Sequence, residues 1–232
     1  NPAAAKSARG TDPVGVAGRE FKKALGAIAA NADINNSVAP AGATKIAEVK
    51  SAKLPTLINY MISASDNTLA EFLARHVAIS QKLPGNLQSI QSGYMQALST
   101  MGLNWDGVVI KDGSGLSANN AVPPQFVAQL LGLVNEGFND FEIIGQALPV
   151  SGESGSLAAR FKGDNADAIG KVRAKTGWIK TGYTLAGLID AKDGTKLLFA
   201  VYALGNVKDD AKVAIDNLVT GFYRCGDTLS NE

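Results

Sequence analysis

The sequence predicts an α+β fold, an antiparallel sheet covered by helices and joined to an all-helical subdomain. Three observations carry this prediction. Apolar residues recur at helical spacing through the first two thirds of the 232-residue chain. Two strand-like runs, 183–189 and 196–204, flank Asp193-Gly194. Asp-Gly between such runs signals a two-residue hairpin turn, because both residues tolerate positive φ. An amphipathic stretch over 207–225 then closes the chain. Helices first and a meander last favour α+β over alternating α/β.

Residues 1–12 are small and polar and read as loose. Asp12-Pro13 reads as N-cap and first helical position, opening a helix to about Ala30 with Phe21, Leu25 and Ile28 on one stripe. Residues 31–42 read as loop, and 45–51 as a short strand. Leu54-Pro55 starts a helix carrying Leu57, Ile58, Met61 and Ile62, which stops at residues 63–67. Helices follow over 68–81 and 86–101, the second ending at Gly102. A short strand over 108–110 leads into Asp112-Gly113-Ser114-Gly115. Pro123-Pro124 opens a helix to about Asn135, and 141–147 is a further helical piece. A Gly/Ser-rich loop covers 149–156, with a short helix over 157–161. The closing helix carries Val213, Ile215, Leu218, Val219 and Phe222; docked on the meander, it should bury Ile215, Leu218 and Phe222.

Composition narrows the function. At 46% hydrophobic and 19% charged the chain is globular. A net charge of +1 and the lack of a basic-aromatic patch argue against nucleic acid as a partner. The single cysteine, Cys225, excludes an intrachain disulfide and a cysteine-rich zinc site. The single histidine, His76, excludes a two-histidine metal motif, so neither metal nor cofactor is expected. No apolar run is long enough to span a membrane, and the first residues carry no secretory core. Residues 1–5 read as a cut edge or a linker.

Two stretches carry chemistry. Arg173-Ala174-Lys175-Thr176-Gly177 enters the meander. A lysine and a hydroxyl at a strand edge can hold an anion together, and a glycine lets a ligand backbone approach. Taken alone, three such common residues read as a solvated strand end. Ser65-Asp66-Asn67 sits between two helices, where Asp or Ser is an ordinary N-cap. Asn67 is not needed as a cap, and Ser65 lies one step before that position. Asp112-Gly113-Ser114-Gly115 alone reads as a turn. His76 reads as a packing or surface residue and Cys225 as a lone small apolar one.

Together the segments are more specific. Ser-Asp-Asn followed about a hundred residues later by Lys-Thr-Gly on a strand gives two of the three motifs of penicillin-recognising serine enzymes. The chain resembles the class C low-molecular-mass penicillin-binding proteins, the serine D-Ala-D-Ala carboxypeptidases of the penicillin-binding protein 4 type. The resemblance rests on 65–71, on Asp-Gly-Ser-Gly-Leu-Ser (112–117) with Pro123 after it, on Leu-Pro-Val-Ser-Gly (148–152), on 173–177 and on Leu-Ala-Gly (185–187). It implies the penicillin-binding/β-lactamase-like transpeptidase fold and acyl transfer through a serine ester. It implies Ser65 as proton shuttle to the leaving amine and Asn67 as holder of the substrate amide carbonyl. Lys175 and Thr176 would bind the terminal carboxylate, Gly177 would keep the strand edge open, and the Trp178 N–H would supply half of an oxyanion hole. Asp66 is structural in this scheme. The implied ligands are peptidoglycan peptides ending in D-Ala-D-Ala and β-lactams, and the implied location is extracytoplasmic.

Three departures from the family pattern stand out. No serine here has lysine three residues later, so the nucleophile motif Ser-x-x-Lys is absent. In the family that motif lies upstream of a large inserted domain. Residues 1–40 are therefore expected to be the end of that insertion and a linker. Residues 41–232 are then the C-terminal part of the penicillin-binding domain, partnered by an upstream part of the same enzyme. Trp178 stands where the family has a hydroxyl residue. Lys180-Thr181-Gly182 duplicates the motif, and 175–177 is taken as the functional copy because Val172-Arg173-Ala174 precedes it. A β-lactamase-like hydrolase and a non-catalytic peptidoglycan-binding homologue are the alternative functions.

Overall fold

The computed structural model describes residues 10–35, 37–38 and 40–231, with side chains up to 229. The expectation for residues 1–9 lies outside these. The chain divides into two compact units, 1–51 and 52–232.

In the first unit α1 (Pro13–Leu25) starts as its sequence signals. The Asp12 carboxylate accepts the Gly15 N–H at 2.9 Å, and Pro13 fills the first helical position, where a missing N–H costs nothing. The helix ends earlier than expected, because Gly26 turns the chain left-handed at φ 58°, and a 3-10 turn over Gly26–Ala29 follows. The strand expected over 45–51 is absent. Ile46 and Val49 are 94% and 97% exposed, and among the described residues this stretch pairs with no strand. An extended segment becomes a strand only when a ladder takes up its backbone groups.

The second unit holds the sheet: β1 (Val172–Ile179), β2 (Gly182–Asp190) and β3 (Lys196–Leu204), antiparallel in that order. Lys175 pairs with Ala186, Gly177 with Thr184 and Trp178 with Tyr183. The Asp193-Gly194 link is not the two-residue turn expected. It spans 191–195, closed by the Ala191 N–H to Thr195 O bond at 2.8 Å. Only Gly194 takes positive φ, while Asp193 folds back to accept the Thr195 N–H.

Strand alternation gives the sheet two faces. On one, Val172, Ala174, Tyr183, Leu185, Ile189 and Phe199 are buried under Ile215, Val219 and Tyr223 of α7 (Asp210–Cys225). Each large apolar side chain so buried contributes about 1.5–3 kcal/mol. α7 docks as expected but on a rotated stripe: Ile215 is buried and Phe222 half-buried, whereas Val213 and Leu218 are 57% and 47% exposed. Asp216 explains the rotation. It is buried facing Arg160, whose guanidinium donates to it at 2.6 Å, and it also accepts the Phe161 N–H. Turning the helix away would leave a buried charge without its partner, so the pair holds this rotation.

The other face carries the helical part. α5 (Pro124–Asn135) lies on β2 and β3, and α2 (Leu54–Ala64) packs on α6 (Glu142–Ala147) with Ile62, Ala147 and Leu188 at their junction. α3 (Asn67–Ser80) follows α2 and packs on α4 (Ile90–Ala97). The single helix expected over 86–101 is shorter. Asn86 accepts from the Ser89 N–H and hydroxyl, which closes a 3-10 turn over Leu87–Ser89 ahead of α4. The strand expected over 108–110 is a single bridge between Val109 and Ala121. The helix expected over 157–161 is a 3-10 turn over Gly155–Leu157, and Phe161 is buried beyond it at φ 57°.

Candidate active site

The site begins at the α2–α3 junction. α2 ends at Ser65, which takes the left-handed conformation at φ 54°, ψ 51°, with its N–H bonded to Met61 O. Asp66 then caps α3, accepting the Leu69 N–H at 2.9 Å. So Asp66 carries the cap, while Ser65 and Asn67 on either side of it are exposed and line one cleft of about 1140 Å³.

Strand β1 forms another wall. The Lys175 ammonium donates to Ser65 Oγ at 2.8 Å and to Thr176 O at 2.9 Å. Burial pushes the Lys175 pKa down to about 8. Thr176 turns its hydroxyl to Ser156 Oγ at 2.8 Å. β1 is the end strand of the sheet. Its first half is covered from outside: Ser151 N–H donates to Val172 O, and Ala174 N–H to Pro149 O, both at 2.9 Å. The two-residue period of the strand turns the N–H groups of Thr176 and Trp178 to that same outer side, past the end of the cover. The Trp178 side chain is 69% exposed and stacks on Tyr183, with ring centroids 5.9 Å apart and planes 7° from parallel. The Lys212 ammonium lies 5.7 Å from the Trp178 ring centroid. Lys180 and Thr181, the duplicate motif, occupy the turn between β1 and β2.

The loop 112–117 makes the opposite wall, and here the sequence reading missed its supports. The Glu71 carboxylate accepts the Gly113 N–H at 2.8 Å and pairs with Arg75 at 3.0 Å. Gly113 lies flush on α3: a Cβ there would stand 2.3 Å from Ala74 Cβ and 3.0 Å from Ala70 O. Asp112 accepts from the Gly115 and Ser117 N–H groups and from Asn120 Nδ2. Burial alone would raise its carboxyl, but these donors outweigh it and hold the pKa below the ordinary value. Burial, helped by Glu71 and Asp112, pushes Tyr94 beside the loop up to about 12. Glu71 stands at the end of the 65–71 segment, and this spacing was the signal available. Ser156, Thr184 and Tyr202 carried none.

The site thus holds Ser65, Asn67, Lys175, Thr176, Gly177 and Trp178 around one cleft. Among the described residues no group of three His, Cys, Asp or Glu side chains is placed to hold a metal ion. Among the same residues no helix is long and apolar enough to cross a membrane. His76 and Cys225 are exposed, and neither lines the cleft.

The sequence profile of the D-Ala-D-Ala carboxypeptidase 3 (S13) family matches residues 3–223. A carboxypeptidase of Mycobacterium tuberculosis is 32% identical over 230 residues, 98% of this chain and 49% of that protein. The crystal structure of penicillin-binding protein 4 from Haemophilus influenzae superposes with a TM-score of 0.68 at 27% identity, over 74% of this chain and 40% of that one. The same protein complexed with a β-lactam gives a TM-score of 0.66 at 27% identity, over 74% and 42%. The chain spans about half the length of the curated relatives it matches.

Proposed function

The chain belongs to the D-Ala-D-Ala carboxypeptidase 3 (S13) family, and we propose that it contributes half of a serine acyl-transfer site acting on peptidoglycan peptides that end in D-Ala-D-Ala. Residues 1–40 belong to the end of an insertion and a linker. An upstream part of the same enzyme supplies the Ser-x-x-Lys serine and lysine. The serine Oγ bonds to the penultimate D-Ala carbonyl carbon, the peptide C–N bond breaks, and the leaving amine takes a proton. Water then hydrolyses the ester. The same chemistry extends to crosslinks cleaved as an endopeptidase, and β-lactams acylate the same serine.

The observation that carries this reading is the Lys175–Ser65 contact at 2.8 Å. Lys175 donates, so Ser65 Oγ accepts and its own proton is free for the cleft, as a shuttle to the leaving amine requires. Asn67 holds the amide carbonyl. Lys175 and Thr176 hold the terminal carboxylate, Gly177 keeps the edge open, and the outward N–H of Trp178 serves the oxyanion. That donor is main chain, so the tryptophan side chain does not remove it. The β-lactam complex of the Haemophilus influenzae protein supports β-lactams as ligands. Acting on peptidoglycan makes the enzyme extracytoplasmic.

Labelled penicillin tests the reading. The enzyme extended upstream should form one covalent adduct, on its Ser-x-x-Lys serine, and residues 1–232 alone should form none. An adduct on the isolated chain, located by mass spectrometry, would contradict it.

A further inference from the structure

The pairing of Gly177 with Thr184 leaves a hydroxyl on the cleft face of the sheet. A Cβ on Gly177 would stand 2.2 Å from Thr184 Oγ1, so the glycine is what gives that hydroxyl its space. Partners directly opposite in an antiparallel pair share a face, and Gly177 shares a face with Lys175 two residues earlier, about 7 Å along the strand. Thr184 is half-buried and lines the cleft. Among the described residues its hydroxyl has no hydrogen-bond partner. The Thr176 hydroxyl, by contrast, is shared with Ser156 Oγ at 2.8 Å, and Trp178 turns to Tyr183 and offers no hydroxyl.

We propose that Thr184 is a substrate-contacting residue, its hydroxyl donating to the ligand carboxylate that Lys175 attracts. Resting on the acyl-transfer reading above, this names the donor that completes the carboxylate subsite. Lys175 supplies charge and Thr184 supplies a directed O–H. Gly177 cannot be replaced by a residue with a Cβ without displacing that O–H. A carboxylate accepts several hydrogen bonds, and a donor on the same face of the sheet as the ammonium adds to its hold.

The test uses the full-length enzyme and two ligands, a penicillin with its free carboxylate and the methyl ester of the same penicillin. The readout is the second-order acylation rate. Thr184→Val keeps the shape and removes the hydroxyl, and should lower the rate with the free acid by about tenfold or more. Thr184→Ser should stay within about threefold of wild type, and Thr184→Val should match wild type on the ester. If Thr184→Val does not fold, Thr184→Ala, which leaves more room, takes its place. A Thr184→Val enzyme unimpaired on the acid, or impaired equally on acid and ester, overturns the inference. A wild-type enzyme that takes neither ligand overturns the acyl-transfer reading itself, and this inference with it.

Discussion

The Lys175 ammonium donates to Ser65 Oγ over 2.8 Å, although 110 positions separate the two residues in the chain. The contact ties the free edge of β1 to the α2–α3 junction. It depends on a backbone that serine does not favour. At φ 54° Ser65 is left-handed, which costs a residue with a Cβ about 1–2 kcal/mol.

Ser65→Ala keeps that strain and removes the oxygen, whereas Ser65→Gly removes both. Glycine gives back part of the gain as unfolded-chain entropy, so Ser65→Gly should be the more stable variant by about 1 kcal/mol. Denaturant midpoints of the two variants measure this. Equal midpoints would show that the junction is unstrained.

Lys175 should make stability depend on pH. Its folded pKa of about 8 lies below the ordinary lysine value of 10.5, because burial disfavours the charge. The unfolded chain therefore holds more protons between those values, and stability rises with pH across that window. Below about pH 8 the penalty of the buried charge is fully present. Lys175→Met should be the more stable protein at pH 7, with an advantage of about 1–2 kcal/mol that fades by pH 10. The discount from a full conversion reflects an ammonium that still reaches solvent. Urea melts of both proteins at several pH values measure it, and an advantage independent of pH would contradict it.

On α7 the contrast between two residues three positions apart is the test of docking. Ile215 is 4% exposed and Leu218 is 47% exposed. Ile215→Ala should cost about 2–5 kcal/mol and Leu218→Ala less than about 1 kcal/mol. Equal losses in chemical denaturation would mean that the helix sits on another stripe.

The apolar periodicity of α7 was legible, but its rotation was not. Ile215 and Leu218 look alike in a hydrophobic pattern, and the choice between them is made by Asp216, which Arg160 draws inward from 56 positions away. Local spacing holds no record of such a pair. The strands were legible because buried apolar runs bounded by turn residues have few other uses. The segment 45–51 misled for the converse reason: Ile46 and Val49 suit a strand, but a strand exists only where a neighbour pairs with it. In the site, Ser65, Asn67 and Lys175 stood out through their motifs. Glu71, Ser156 and Thr184 did not, because each acts through a partner on another element, Gly113, Thr176 and Gly177 respectively. The proline openings of α1, α2 and α5 needed no such partner and read correctly.

The duplicated Lys-Thr-Gly allows the most direct test of the acyl-transfer account. Lys175 lies on β1 against Ser65, and Lys180 lies exposed in the turn after it. A hydrogen bond to a charged carboxylate contributes about 1.5–3 kcal/mol. In the full-length enzyme, Lys175→Ala should therefore lower the second-order rate of acylation by a β-lactam by roughly one to two orders of magnitude. Lys180→Ala should change that rate by less than about threefold. If Lys180→Ala is instead the crippled enzyme and Lys175→Ala is acylated normally, the lysine on β1 does not serve the reaction and the account is wrong.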